Sequence, residues 1–297
     1  MDFVKSLAER LQGNTGTESH TKRSKDFNDV LDSYYHNGQK DGTSIHLNGL
    51  HKHLRWRDGF LYGITGYPGA GKSTFLNWLF ILRAQHDNKK IAVYSPESYP
   101  IPDMIEELMR QYSGGSISKG FSDQINHQEY IEASKFVNEH FYFLDFDDIP
   151  SIQDVFAEFS RLIKNEGVGM VLIDPFNSVS EGANMSGGGN ISQYLKIALT
   201  QAKLFAVKHD IPVLLVEHPR STGGTSNEDR PEPSPFMIYG GSLWWNKVDV
   251  FFTVDRNMFD SDDPNVNIKI WKVKKQRLMG VPGEVTLSFD YKTGRYE

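Results

Sequence analysis

From about residue 45 onward, short apolar runs alternate with amphipathic stretches. FLYGITG, KIAVYSP, HFYFLDF, GMVLIDP and IPVLLVEHP are continuous apolar runs closed by turn residues, the pattern of strands buried on both faces. Residues 72 to about 85, 101 to about 112, 152–165 and 191–208 instead repeat apolar side chains at helical spacing. That alternation predicts an α/β fold with a mainly parallel central sheet flanked by helices. The tail differs. VDVFFTVDR, VNIKIWKVKKQR and GEVTLSFDY show period-two alternation with turn residues between them, which predicts an antiparallel C-terminal extension.

Ahead of residue 45 there is less to bury. Phe3, Val4, Leu7 and Leu11 share one face of a short helix, and the polar stretch GNTGTESHTKRSK after it reads as a linker. In SKDFNDVLDSYYHNG, Ser24 is a candidate N-cap, Phe27, Val30, Leu31 and Tyr34 form an apolar stripe, and Gly38 is a stop. The chain therefore divides into a helix-and-linker segment, 1–44, and a compact domain, 45–297. A small exposed stripe needs a partner surface, so the first segment is expected to dock on another subunit.

Composition excludes more than it selects. The chain has no cysteine, so disulfides and cysteine-ligated metal sites are ruled out, and the pair His51 and His53 lacks a third ligand nearby. No apolar run spans a bilayer, and the N-terminus is amphipathic rather than signal-like, so no membrane partner is expected and the cytoplasm (a host's, for a viral source) is the expected compartment. A formal net charge of −6 argues against coating nucleic acid through a broad basic face, although it permits a narrow basic channel.

The chemistry concentrates in Gly66-Tyr67-Pro68-Gly69-Ala70-Gly71-Lys72-Ser73, continued by Thr74, which matches G-x-x-x-x-G-K-[ST] between an apolar strand and a helix. Glycines let the backbone wrap phosphate oxygens, and amides at the helix start point at the anion. Lys72 is placed to reach the β- and γ-phosphates and Ser73 to ligate Mg²⁺, which makes ATP or another nucleoside triphosphate the expected substrate. Asp174 ends GMVLID, where a carboxylate can hold Mg²⁺ through water or merely cap a strand. Glu97, in VYSPES, is a candidate general base for the attacking water; standing alone it would read as a solvated loop carboxylate. His218 closes VLLVEH and is a candidate γ-phosphate sensor, although a lone histidine there more often serves structure alone.

The phosphate loop, Ser95-Pro96-Glu97, Leu172-Ile173-Asp174, Glu217-His218-Pro219, Gly240-Gly241-Ser242 and Lys275-Gln276-Arg277 occur in an order that resembles superfamily 4 helicases. These are RecA-like, ring-forming replicative helicases of the DnaB, phage primase-helicase and Twinkle type. The likeness covers about residue 45 to the end. It implies an ATP-dependent DNA helicase, a hexameric ring, single-stranded DNA in the pore, and a primase or other replisome protein as a further partner. It implies that Arg277 crosses to a neighbour's γ-phosphate with Lys275 beside it; otherwise Lys272, Lys274, Lys275 and Arg277 are a solvated cationic strand end. It places Arg256 and Phe289 on either side of the base, although Phe289 alternates with Leu287 and reads equally well as core. The pore strand would meet the segments 180–190 and 220–236 and the Gly240-Gly241-Ser242 turn, with Arg220 and Arg230 as the cations. Lysine is absent from both segments, a departure from strongly basic pore loops. Trp244 and Trp245 read as core aromatics beside that turn more readily than as stacking groups.

Two other readings stay open. One is a RecA/RadA-like recombination or repair ATPase that binds DNA without unwinding it; the other is a non-catalytic nucleotide-dependent loader or switch. A switch has no need of a base such as Glu97, and the Lys-x-Arg pair fits hydrolysis shared between subunits better than either.

Overall fold

The computed structural model describes residues 21–179, 191–220, 230–257, 260 and 262–297. The chain forms two compact units, Met1–Lys40 and Asp41–Glu297. In the first, a single 3-10 turn, Ser24–Phe27, runs into helix α1, Asn28–Asn37. Gly38 ends it with a backbone N–H donated to Tyr34 O, as the sequence suggests. The start differs: Arg23 rather than Ser24 precedes the turn, and its amide donates to the Asp26 carboxylate. No residue of α1 is buried, and the stripe of Phe27, Val30, Leu31 and Tyr34 stays between 39% and 49% exposed.

In the second unit the apolar runs become strands β1 (Leu61–Thr65), β2 (Lys90–Tyr94), β3 (Phe141–Phe143), β4 (Val168–Ile173), β5 (Val213–Glu217), β6 (Val250–Arg256), β7 (Asn265–Val273), β8 (Gly283–Asp290) and β9 (Arg295–Tyr296). They join in one sheet of order β3-β2-β4-β5-β1-β6-β7-β8-β9. Helices α2 (Lys72–Asp87), α3 (Ile101–Ser113), α4 (His127–His140), α5 (Ile152–Glu166) and α6 (Ile191–His209) supply the crossovers, and the shorter α7 (Gly241–Lys247) and α8 (Gln276–Met279) punctuate the tail. The sequence pattern passed over α4, although Asn126 and Glu129 stand at capping-box spacing and make that box, with the Asn126 side chain accepting from two amides.

Each central strand feeds two cores because its side chains alternate between faces. Tyr62, Ile64, Met170, Leu172, Leu214 and Val216 join one cluster, with Phe75 and Leu79 of α2. Leu61, Val171, Ile173, Val213 and Leu215 join the other, with Phe159 of α5 and Leu199 of α6. β7 packs only one face, so Val266, Ile268 and Ile270 are buried while Asn267 and Lys269 are not. This one-sided burial is the source of the period-two signal.

β6 corrects the expected boundary between the parallel and antiparallel parts. It pairs parallel with β1, Tyr62 opposite Val250, and antiparallel with β7, Val250 opposite Val273 and Arg256 opposite Val266. Its first five residues are buried, which is why the run resembles a central strand as much as a tail strand. The last part of the tail also departs from an extended reading: after β7 the chain turns at Lys275, in left-handed conformation at φ 56°, into the single turn of α8.

Trp244 and Trp245 separate by burial. Trp244 packs edge-on against Phe176 and Phe251 in the core, whereas Trp245 is half-buried between Phe236 and the Lys272 ammonium. Trp244→Ala should cost about 3 kcal/mol or more in urea unfolding, the scale of an emptied aromatic core site. Trp245→Ala, which leaves no closed cavity, should cost roughly 1 kcal/mol.

Candidate active site

The phosphate loop leaves β1 at the C-terminal edge of the sheet, where open α/β sheets bind ligands. Gly66 is required by contact with β6: a Cβ there would lie 2.1 Å from Val254 O. Gly71 has φ 87° and precedes the first residue of α2, so the helix's free amides face the loop. Residues 68–74 line a cleft of about 570 Å³ together with Glu97, Ser98, Asp174, His218, Arg256, Val266, Phe289, Tyr291 and Tyr296. Eight expected site residues therefore converge there: Lys72, Ser73, Thr74, Glu97, Asp174, His218, Arg256 and Phe289.

Lys72 is buried, and its ammonium donates to Gly66 O at 2.9 Å and Tyr67 O at 3.1 Å. Burial lowers its pKa, with Asp174 and Glu97 opposing that shift. The Ser73 hydroxyl donates to Asp174 Oδ2 at 2.7 Å. Burial raises the Asp174 pKa, against the Ser73 hydrogen bond and the nearby Lys72 charge. Asp174 thus sits where a cation would restore the charge balance.

Glu97 lies on the single 3-10 turn Pro96–Ser98 just past β2, exposed toward the cleft. His218, directly after β5, donates from Nε2 to Glu97 Oε2 at 3.0 Å in the tautomer protonated there, while its Nδ1 is buried with no protein partner. Beside it, Glu217 is buried and its carboxyl is pushed up to about 7 by desolvation, although the His218 amide donates to it.

Arg256 and Phe289 reach the cleft from β6 and β8. Phe289 does both things the sequence left open, lining the cleft and packing against Tyr291 and Tyr296. Tyr291 and Tyr296 are cleft residues that sequence reasoning missed. Tyr296 donates to Gly71 O at 3.3 Å and stacks edge-on against Phe75, a placement made by β9 pairing with β8 and carried by no motif.

Lys275 and Arg277 are absent from that cleft. They are exposed, in no ion pair with a described residue, and come after β7 at the end where Val273 faces Val250. Arg256 and Val266, which line the cleft, mark the other end of the same two strands. At a rise of about 3.3 Å per residue, β6 puts roughly 20 Å between the two ends.

The expected DNA contacts fare unevenly. Residues 180–190 and 221–229 lie outside the described residues. Arg220 is exposed, with its guanidinium over the Tyr239 ring at 5.6 Å. Arg230 requires correction: it is bonded to Asp255 at 2.7 Å and to Arg256 O at 2.9 Å, and lies 4.3 Å over the Tyr67 ring. That guanidinium braces the phosphate loop against β6 and is not presented to a strand. Gly240 and Gly241 answer to packing, since a Cβ at Gly240 would lie 2.3 Å from Leu195 and one at Gly241 2.3 Å from Pro235 O; Ser242 is exposed at the start of α7.

Among the described residues no helix is long and apolar enough to cross a membrane, and no three His or acidic side chains group as a metal site. In overall shape the chain is similar to a phosphate-loop protein solved as an isolated ATPase domain, with a TM-score of 0.74 at 15% identity over 91% of this chain and 97% of that one. It is similar also to a DnaB-like replicative helicase described with its interactions with primase, at TM-score 0.72 and 14% identity over 99% of this chain and 70% of that one. At such identities the likeness establishes the RecA-like fold. No curated protein matches in sequence. The family model for the DnaB-like helicase C terminal domain matches residues 44–297. The recombinase and switch readings are thereby not favoured. With its phosphate loop, buried Ser73–Asp174 pair and Glu97 gathered in one cleft, the chain belongs to the DnaB-like helicase family and is an ATP-hydrolysing helicase of the replicative type.

Proposed function

We propose that this protein assembles into a ring, hydrolyses ATP at sites shared between neighbouring copies, and uses the cycle to move along single-stranded DNA and part the duplex ahead. The observation that carries this reading is the position of Lys275 and Arg277, exposed at the sheet end remote from the protomer's own cleft. Cations that far away cannot neutralise their own γ-phosphate, but they can reach a neighbour's.

Within one cleft the roles follow from the geometry. Lys72 is held by two neutral carbonyls, which phosphate oxygens outcompete because a charge-assisted bond is roughly twice as strong. Ser73 and Asp174 offer hard oxygen donors already in contact, a set that suits Mg²⁺; bound there, Mg²⁺ would screen phosphate charge. Glu97 is placed to orient and deprotonate the attacking water once His218 turns from it toward the γ-phosphate. Arg256 and Phe289 flank the base, with Tyr291 beside them. A neighbour's Arg277 spreads two hydrogen bonds over the charge that develops in the transition state, and its Lys275 adds a point charge.

Assembly has a candidate element in the 1–44 segment, whose helix α1 presents its apolar stripe to solvent and would gain burial on a neighbouring copy. Arg220 and Ser242 are exposed and remain the strand contacts this reading retains, together with the segments 180–190 and 221–229. A primase or another replisome protein is the further partner that the replicative role entails.

Arg277→Ala should leave ATP binding within about threefold while turnover falls by roughly a thousandfold or more, the scale of an arginine finger. Mixing it with Lys72→Ala subunits should restore part of the activity, because a phosphate loop from one meets cations from the other; absence of rescue in assembled mixed rings would count against a shared site. On a forked duplex the wild-type protein should displace a strand with ATP and not without it, and ATP turnover without displacement would withdraw the helicase motion.

A further inference from the structure

The turn that carries Lys275 and Arg277 is tied to the core through one buried carboxylate. Asp249 opens β6 at the sheet end remote from the cleft and is buried. Its Oδ2 accepts from Leu61 N at 2.8 Å and from Lys203 Nζ at 2.6 Å, and its Oδ1 accepts from Lys274 Nζ at 2.9 Å. The backbone repeats the attachment, with Lys274 N donating to Asp249 O at 2.9 Å. Lys203 also donates to Gly59 O at 2.7 Å, so α6, the start of β1, the start of β6 and the end of β7 meet at this carboxylate.

Just past this anchor the chain bends sharply. Lys275 takes a left-handed backbone conformation, uncommon for a residue with a side chain, and the one turn of α8 begins after it. Leu278 and Met279 donate back to Lys275 O, and Met279 is buried, which pins the far side of the turn. Lys274 pins the near side. Lys275 and Arg277 point outward between these two anchors, with no ion pair to a described residue to hold them.

We propose that Lys274, clamped by Asp249 and backed by Lys203, is the positioning residue that aims Lys275 and Arg277 at a neighbouring copy's phosphate; this rests on the shared-site reading. A group that stabilises a transition state must be held within a fraction of an ångström, and a misplacement of about 1 Å costs up to roughly a hundredfold in rate. A bond between an ammonium and a buried carboxylate supplies that stiffness where a left-handed, one-turn element alone would not. Lys274 touches no part of its own cleft, so its influence is confined to the neighbour's chemistry.

The test is Lys274→Met in the full chain, which keeps the stem and leaves Asp249 its bonds to Lys203 and Leu61 N. Turnover by the assembled protein should fall about tenfold to a hundredfold while KM for ATP stays within about twofold, because the cleft is intact and only the aim of the trans cations is lost. Lys274→Arg should keep most of the activity, and mixed rings of Lys274→Met with Lys72→Ala should recover part of it. Wild-type turnover in Lys274→Met, with Arg277→Ala inactive, would overturn the positioning role and leave the shared site standing. Wild-type turnover in both variants would remove the shared site and this proposal with it. Loss of assembly, a raised KM, or absence of rescue would mark Lys274 as merely structural and overturn the proposal.

Discussion

The direction of β6 is the constraint from which the functional geometry derives. Because it runs parallel to β1, its C-terminal end lies beside the phosphate loop and delivers Arg256 to the cleft. Because β7 returns antiparallel, everything after Val273 emerges at the opposite end of the sheet. A single reversal therefore puts the machinery that grips a nucleotide and the cations that complete its chemistry on opposite ends of one rigid layer. The separation is set by strand length and is not a matter of loop conformation.

At the nucleotide end, burial and pairing work against one another in a way that favours a charged ligand. Asp174 and Lys72 are both buried, and desolvation pushes each toward its neutral form. Their compensation is partial: a hydroxyl for one and carbonyls for the other. Phosphate and a divalent cation supply the missing charge, so binding relieves a cost already present in the fold. Arg230 and Tyr296 hold the loop from two sides, through the Tyr67 ring and the Gly71 carbonyl. Neither touches the reacting atoms by these contacts; both set the shape that those atoms meet.

How much of this the sequence disclosed depends on whether an interaction is local. The phosphate loop, Asp174, Glu97 and His218 were legible because each stands at the end of an apolar run, and the strand pattern brings such ends together. Arg230 was misread as a strand contact because its partner, Asp255, sits on a different strand and is recognised only once β6 is placed. Tyr296 belongs to no motif, and its place in the cleft comes from β9 pairing with β8. The left-handed turn at Lys275 was hidden inside what looked like a continuous alternating strand, because Lys and Gln carry little conformational signal. Helix α4 escaped because only Ala133, Phe136 and Val137 are buried, too few to raise its periodicity above the surrounding polar residues.

If the chemistry needs a cation from an adjacent copy, ATP turnover per protomer must depend on protein concentration. The most direct measurement is steady-state hydrolysis at saturating ATP across a dilution series, with the assembly state tracked in parallel by sedimentation. The account predicts that activity per protomer collapses as the rings dissociate and returns when they re-form. Undiminished turnover by protomers shown to be monomeric would contradict it.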